Sequence, residues 1–208
     1  MYIERALEPL VRRYSENFKI VAVTGPRQVG KTTMLKHLME EEAESGVDRV
    51  YVTLDNTAIL QTAKEDPALF LQRYRPPVLI DEIQKAPELL PYIKMIVDER
   101  DDCGSVWITG SQPLHLMKAV SESLAGRVGI VEMLGLSHSE VAGTPSEPYL
   151  PSADYFMRRV DMAKPFGVSE AYRQICAGSL PGIRALPDDL RAGGYESYLD
   201  TYIMRDIR

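Results

Sequence analysis

Cysteine, histidine and tryptophan are scarce in this 208-residue chain, which contains 2, 3 and 1 of them respectively. The two cysteines, Cys103 and Cys176, have neither the spacing of a metal site nor the density of a disulfide framework. The histidines are scattered, which is typical of surface or core positions rather than of ligands. These scarcities exclude a disulfide-stapled fold and a cysteine–histidine metal centre.

Long apolar runs and excess positive charge are also missing. No apolar run reaches the length of a membrane span, and residues 1–14 are amphipathic and charged, unlike a secretory signal. We therefore expect a cytoplasmic chain without a membrane partner. The formal net charge of −6 excludes a protein whose whole surface grips nucleic acid, while a local DNA contact stays open.

The most specific motif is a phosphate-binding loop at residues 25–32, which fits G-x-x-x-x-G-K-[ST] at every fixed position. An apolar, β-branched run precedes it at 18–24, and strong helix formers follow it at 32–42. A strand, a glycine-bearing loop and a helix in this order surround an anion with backbone N–H groups. The predicted nucleotide contacts are Gly25, Pro26, Arg27, Gln28, Val29, Gly30, Lys31, Thr32 and Thr33.

Within this loop, Lys31 supplies a catalytic charge for the β- and γ-phosphates, and the Thr32 hydroxyl is a ligand for Mg²⁺. Arg27 has two interpretations. Its guanidinium contacts phosphate or pairs with a carboxylate such as Asp55, or it is an outward, solvated side chain.

A second signal is an apolar run, 77–80, that ends abruptly in Asp81 and Glu82. Asp81 is the expected second Mg²⁺ residue, and Glu82 is the expected general base for an attacking water. The alternative is that both carboxylates only cap the following turn. One predicted strand lies between Lys31 and this acidic pair, as in the P-loop class that inserts an extra strand and uses a catalytic glutamate.

Two further catalytic candidates follow later strands. Gln112, after the fourth strand, is expected to hydrogen-bond the γ-phosphate and water as a sensor; a plain polar turn is the alternative, and Ser111 is a weaker candidate. Arg127 immediately precedes the fifth strand, so it is expected at the N-terminal edge of the sheet, about 17–20 Å from the phosphate loop. It is either an arginine finger acting in trans in a homo-oligomer or a structural residue bonding nearby carbonyls and carboxylates.

Alternating strand and helix patterns predict an α/β fold, a five-stranded parallel P-loop NTPase sheet with helices on both faces. The predicted strands are 18–24, 49–54, 77–82, 105–109 and 128–133, with a helix over 2–14 and another from Pro87 to about Arg100. A Pro-, Ser- and Gly-rich stretch at 143–153 marks a boundary. We therefore predict a P-loop NTPase domain at 1–142 and a small helical segment at 143–208.

Four blocks of the chain resemble the AAA-type ATPases of bacteria and archaea. These blocks are residues 25–33, 78–98, 109–112 and 123–127. More narrowly, the chain resembles the family in which an N-terminal ATPase precedes a C-terminal domain of unknown function, since residues 198–207 and the turn at 178–182 are similar to its later segments. The resemblance implies ATP as the nucleotide, and a second domain that is absent from this chain after Arg208.

The leading functional expectation is a Mg²⁺-dependent ATPase, cleaving the phosphoanhydride bond, whose turnover drives a conformational change and depends on a partner or oligomer. The alternative is a nucleotide-gated switch that binds ATP, hydrolyses little alone and presents a surface to a protein or DNA partner. A small-molecule kinase is disfavoured, because a water-activating base at Glu82 would waste ATP.

Overall fold

The computed structural model describes residues 2–111, 120, 123–144, 150–163 and 166–206. The chain divides into two compact units. One is Leu7–Gly135, and the other combines Met1–Ala6 with Leu136–Arg208. This partition differs from the predicted functional division at residues 142 and 143, which stays a prediction.

The unit Leu7–Gly135 contains a five-stranded parallel sheet in the order β2-β3-β4-β1-β5. Its strands are β1 Ile20–Thr24, β2 Val50–Thr53, β3 Val78–Asp81, β4 Val106–Gly110 and β5 Val128–Glu132. Its helices with described bounds are α1 Glu8–Asn17, α2 Lys31–Glu44, α3 Thr57–Glu65, α4 Pro67–Arg73 and α5 Leu89–Asp98, with a 3-10 turn at Ile83–Lys85. Strand β4 lies between β1 and β3 in the sheet, so the strand that separates them in space is β4, whereas β2 separates them in sequence.

Helices cover both faces of the sheet. Side chains along each strand alternate between the two faces, so each face offers apolar side chains for helices to pack against. The even-numbered residues of β1, β3 and β4 pack with α3, α4 and α5 into one apolar core. The odd-numbered residues face α1 and α2: the Trp107 Nε1 donates a hydrogen bond to Ser15 Oγ of α1 at 2.8 Å, and the Lys36 ammonium of α2 lies 3.8 Å from the Tyr51 ring centroid. Asp81 and Thr109 share this second face.

The predicted N-terminal helix is displaced along the chain. It covers Glu8–Asn17 rather than residues 2–14, and Pro9 sits in its first turn, where a missing N–H leaves no helical hydrogen bond unmade. The preceding residues belong to the other compact unit. Apolar spacing over 2–14 therefore predicted the helix correctly but not where it begins.

The second unit is helical in its described residues. Its helices are α6 His138–Ala142, α7 Ala153–Met162, α8 Val168–Ala177, α9 Pro181–Arg184 and α10 Arg191–Asp206. A capping box between Ser137 and Glu140 starts α6, and the Arg5 Nε donates to Glu140 Oε1 at 2.9 Å, which ties the N-terminal residues to this unit. Helices α6 and α9 were not predicted, because four or five residues are too few to show a helical period. In the part of the chain described, no helix is long and apolar enough to cross a membrane.

Candidate functional site

The predicted phosphate loop joins the end of β1 to the first residue of α2. Its backbone is left-handed at Gln28 and at Gly30, with φ values of 61° and 98°. Mixed right- and left-handed backbone turns successive N–H groups toward a common side, which is the geometry of an anion-binding nest. Gly25 has a φ of 139°, and a Cβ there would lie 2.0 Å from the Met133 carbonyl oxygen, so only glycine fits.

Lys31 is folded over this loop. Its Nζ donates to the carbonyl oxygens of Gly25 at 2.8 Å and Pro26 at 2.7 Å, and the residue is only 6% exposed. Burial lowers the pKa of the Lys31 ammonium, while the nearby carboxylates of Glu82 and Asp81 act to raise it. The lysine and both predicted acidic residues therefore lie within electrostatic reach of one another at one edge of the sheet.

The other loop residues predicted to contact nucleotide lie between β1 and the first turn of α2. Arg27 is half-buried, and its charge adds to desolvation in lowering the pKa of Lys31. Asp55, one proposed partner of Arg27, accepts a hydrogen bond from Lys85 Nζ. The interpretation of Arg27 as a phosphate contact stays a prediction.

Asp81 is ringed by three hydroxyl groups. Its Oδ1 accepts hydrogen bonds from Thr32 Oγ1 at 2.8 Å and from Thr109 Oγ1 at 2.5 Å, and its Oδ2 accepts one from the Tyr51 hydroxyl at 3.1 Å. Burial, followed by the Asp81 charge and hydrogen bond, raises the pKa of Tyr51 to about 12. A carboxylate beside hydroxyl oxygens is a hard-ligand set of the kind that suits Mg²⁺, so the residues present fit that ion.

Glu82 follows directly, in left-handed backbone with a φ of 60°. Its N–H donates to Thr109 Oγ1 at 3.1 Å, so one threonine holds both the Asp81 carboxylate and the Glu82 backbone. The Glu82 Oε2 accepts hydrogen bonds from Gln84 Nε2 and, at 3.2 Å, from Ser111 Oγ. The acidic pair is thus more than a turn cap, since its side chains join a network across β3 and β4.

Of the remaining two catalytic candidates, only Arg127 is described, and it is not brought to this network. Gln112 lies outside the described residues. Arg127 precedes β5 at the N-terminal edge, where its backbone carbonyl accepts a hydrogen bond from the Ile20 N–H at 3.1 Å. Its guanidinium donates to both Asp98 oxygens, at 2.5 and 2.9 Å, and to the Ala125 carbonyl. Within one chain, Arg127 thus makes the contacts of a structural residue that bonds a nearby carboxylate and carbonyl. Its role as an arginine finger in trans stays a prediction.

Sequence reasoning missed three residues of this network: Tyr51, Thr109 and Gln84. One sequence signal was present for Thr109, because it is a polar residue inside an otherwise apolar strand. Tyr51 carried no such signal, since tyrosine is common in strands. Gln84 comes two residues after Glu82, which is close enough to have been considered.

A second group of ligand-type side chains lies between α1 and α2. Oxygen and nitrogen atoms of Glu8, His37 and Glu41 lie within 4.8 Å of one another. Arg12 Nη2 donates to Glu8 at 3.2 Å and to Glu41 at 2.5 Å. Because this guanidinium already bridges the two carboxylates, we assign the group as an ion-pair network rather than a metal site.

The sheet order, the loop and the acidic strand end define a P-loop NTPase, and solved structures agree on the fold. The Walker-type ATPase of Pyrococcus abyssi superposes with a TM-score of 0.57 at 15% identity, covering 99% of this chain and 75% of that one. The AMPPCP-bound DnaA from Aquifex aeolicus superposes with a TM-score of 0.52 at 14% identity, covering 97% and 64%. The predicted fold class is confirmed.

Family membership follows from the sequence match. A family model described as an AAA domain matches residues 17–142, and the chain belongs to this family. Uncharacterized proteins of Mycobacterium tuberculosis and Mycobacterium bovis are both 29% identical over 198 residues, which is 95% of this chain. The chain spans 38% of the length of these curated relatives. The second domain implied by the narrower resemblance stays a prediction.

Proposed function

We propose that this chain binds ATP with Mg²⁺ and hydrolyses the terminal phosphoanhydride bond, and that turnover is coupled to a conformational change. One observation carries the proposal: Thr32 of the phosphate loop donates to Asp81 at the end of β3, with Lys31 and Glu82 beside them. Four residue types needed for ATP hydrolysis thereby meet at the carboxyl edge of the sheet, where α/β folds bind ligands. Membership of the AAA-domain family supports nucleotide binding in general.

Binding is assigned to the loop amides and to Lys31. In the structure, the Lys31 ammonium donates hydrogen bonds to two carbonyl oxygens of the loop. A triphosphate in the loop offers it charged acceptors instead, and a charge-assisted hydrogen bond is about twice as strong as a neutral one. Exchange of those two contacts for phosphate oxygens is the first local change that we expect on binding.

The Mg²⁺ ligands are assigned to Thr32 and Asp81. When bound, the ion neutralises charge that develops on the phosphate oxygens. Asp81 is already held by the hydroxyls of Thr109 and Tyr51. These two donors fix the carboxylate and leave less conformational freedom to be lost when the ligand set forms.

Hydrolysis is assigned to Glu82 as general base. The carboxylate takes a proton from water as the water oxygen bonds to the γ-phosphorus. The bond from that phosphorus to the bridging oxygen breaks, ADP and inorganic phosphate leave, and the proton returns to solvent. We assign Gln112 to hydrogen-bond the γ-phosphate and the water during this step. General base catalysis of this kind contributes about 10²- to 10⁴-fold.

A nucleotide-gated switch with little turnover is the second candidate. It is favoured by one observation, namely that the Glu82 Oε2 already accepts hydrogen bonds from Gln84 and Ser111. In a switch, these bonds hold the carboxylate in a resting orientation until a partner, DNA or another copy of the chain changes its surroundings, and Gln84→Ala would then raise kcat rather than lower it. Phosphate release measured with and without duplex DNA, over a range of protein concentrations, separates the two candidates.

The arginine-finger role of Arg127 would make the active form an oligomer. From the N-terminal edge, Arg127 is separated from its own phosphate loop by the length of a strand, about 17 Å. Release from Asp98 would allow it to reach a neighbouring copy, where a finger is worth about 10³-fold or more in rate. Mixing Arg127→Ala with Lys31→Ala protein tests this. Partial recovery of turnover supports action in trans, whereas activity that is independent of concentration and survives Arg127→Ala contradicts it.

The central test pairs Lys31→Ala with Glu82→Gln. We expect Lys31→Ala to abolish ATP binding, and Glu82→Gln to keep binding but lose turnover, because Glu82 acts on water rather than on ground-state ATP. Binding is measured with a fluorescent ATP analogue and turnover by phosphate release. Lys94→Ala and Glu88→Gln are matched controls at exposed positions on and beside α5. Normal turnover by Glu82→Gln, or loss of its binding, would remove Glu82 from the assigned role.

A further inference from the structure

Glu82, Gln84 and Ser111 form a closed triangle of hydrogen bonds. Gln84 Nε2 donates to Glu82 Oε2 and also, at 3.1 Å, to Ser111 Oγ. Ser111 Oγ donates in turn to the same Glu82 oxygen at 3.2 Å. Two side chains from different parts of the chain, one after β3 and one after β4, thus hold a single carboxylate oxygen.

The orientation of the Gln84 amide follows from the chemistry of its neighbour. An ionised carboxylate only accepts hydrogen bonds, so the NH₂ end of the amide must face Glu82. The opposite orientation would place two acceptor oxygens against each other. In the structure, the Gln84 Oε1 is buried with no hydrogen-bond partner among the described residues. An unsatisfied buried acceptor is unfavourable, so this orientation is held by the contact of the NH₂ end with Glu82.

Gln84 is also on a rigid support. It is the middle residue of the 3-10 turn Ile83–Lys85, whose Ile83 is 0% exposed in the apolar core. The Lys85 N–H closes this turn on the Glu82 carbonyl at 3.0 Å. Glu82 itself is in left-handed backbone, which is strained for a residue with a Cβ and which the surrounding contacts must maintain.

We infer that Gln84 is a positioning residue for ATP hydrolysis, which holds the Glu82 carboxylate, together with Ser111, so that its other oxygen takes the proton from water. The inference rests on the proposed function. Gln84 acts through Glu82 and touches neither ATP nor water. Its removal therefore lowers the rate of the chemical step and leaves the affinity for ATP unchanged.

The expected fall in kcat follows from the dependence of the rate on the position of the Glu82 carboxylate. A displacement of about 1 Å in a reacting group can cost about 100-fold in rate. We expect Gln84→Ala to lower kcat about 10- to 100-fold, with KM for ATP and the affinity for a non-hydrolysable analogue within about twofold of wild type. Gln84→Glu has nearly the same size but replaces the donor by an acceptor, so its loss of kcat is at least as large.

A double-mutant cycle tests whether Gln84 and Ser111 act through the same oxygen of Glu82. Gln84→Ala and Ser111→Ala restrain the same oxygen, so their effects on kcat are expected to be non-additive. Gln72→Ala, at an exposed position on α4, is the matched control and is expected to behave as wild type. Melting temperatures of all variants identify any loss that comes from folding, and Gln84→Glu preserves the test if Gln84→Ala is unstable.

The outcomes separate this inference from the proposed function. A large fall in kcat at constant KM in the Gln84 variants supports the inference. Turnover that is lost in Glu82→Gln but normal in both Gln84 variants overturns the inference alone, as does a raised KM with unchanged kcat or a rise in kcat. A wild-type protein that binds ATP and shows no turnover under any condition overturns the proposed hydrolysis, and the inference with it.

Discussion

Thr109→Val removes one hydroxyl that serves both acidic residues of the site. Thr109 is 0% exposed, donates to Asp81 Oδ1 at 2.5 Å and accepts the Glu82 N–H at 3.1 Å. Valine has almost the same shape and a comparable preference for strands, so packing is nearly conserved. The substitution therefore reports on the two hydrogen bonds.

The expected loss of stability comes from both hydrogen-bond partners of Thr109, the Asp81 carboxylate and the Glu82 N–H. A hydrogen bond to a charged group contributes about 1.5–3 kcal/mol, and an N–H left without a partner costs about 1–3 kcal/mol. Asp81 keeps its bonds to Thr32 and Tyr51, which limits the total. We expect Thr109→Val to lower the free energy of unfolding by about 2–5 kcal/mol.

Urea denaturation of the wild type and the variant measures this difference, provided that the slopes with denaturant agree. Thr109→Ser is the control, because it keeps the hydroxyl and loses one buried methyl group, for about 1 kcal/mol. The reasoning is refuted if Thr109→Val lies within about 0.5 kcal/mol of the wild type, or if it is more stable than Thr109→Ser. Either result would mean that the hydroxyl does not support the acidic pair.

Two further predictions concern the phosphate loop and the hydroxyl groups around Asp81. Gly25→Ala should abolish binding of an ATP analogue and destabilise the fold by more than about 2 kcal/mol, because its Cβ would lie 2.0 Å from the Met133 carbonyl oxygen. Gly46→Ala is the control: it is also at positive φ but has nothing within 4 Å, so it should lose less stability and keep binding. The raised pKa of Tyr51 means that the unfolded chain loses the tyrosine proton first, so its contribution to stability is complete below about pH 10 and falls as the pH rises toward 12. Tyr51→Phe should lack this part of the decline in urea midpoints, whereas an identical pH profile would show that the Tyr51 hydrogen bond to Asp81 is not maintained in solution.

Local features of the site could be predicted from the sequence because they depend on neighbouring residues. The phosphate loop is contiguous, and the left-handed backbone at Gly30 and the close approach at Gly25 are what its glycines permit. The acidic strand end was recognisable because an apolar run stopped at two carboxylates. Alternation of strands and helices then implied a parallel sheet, whose carboxyl ends meet at one edge.

The beginnings of helices were less predictable, because apolar spacing shows a face rather than an end. Residues 2–14 have helical spacing, yet α1 begins at Glu8, beside Pro9. Helices α6 and α9 are shorter than the window in which a period is detectable. The capping box of Ser137 with Glu140 is a local sequence signal for the start of α6, and it went unused because no helical period followed it.

The sequence by itself therefore determined the phosphate loop, the acidic pair and the class of fold, since each follows from residues close together in the chain. Only the tertiary structure decided what surrounds the acidic pair. Strand register places Asp81 beside Thr53 on one side, and strand alternation points Asp81 and Thr109 to the same face of the sheet. Those pairings depend on strand order, and packing of the whole core, rather than any local pattern, establishes that order.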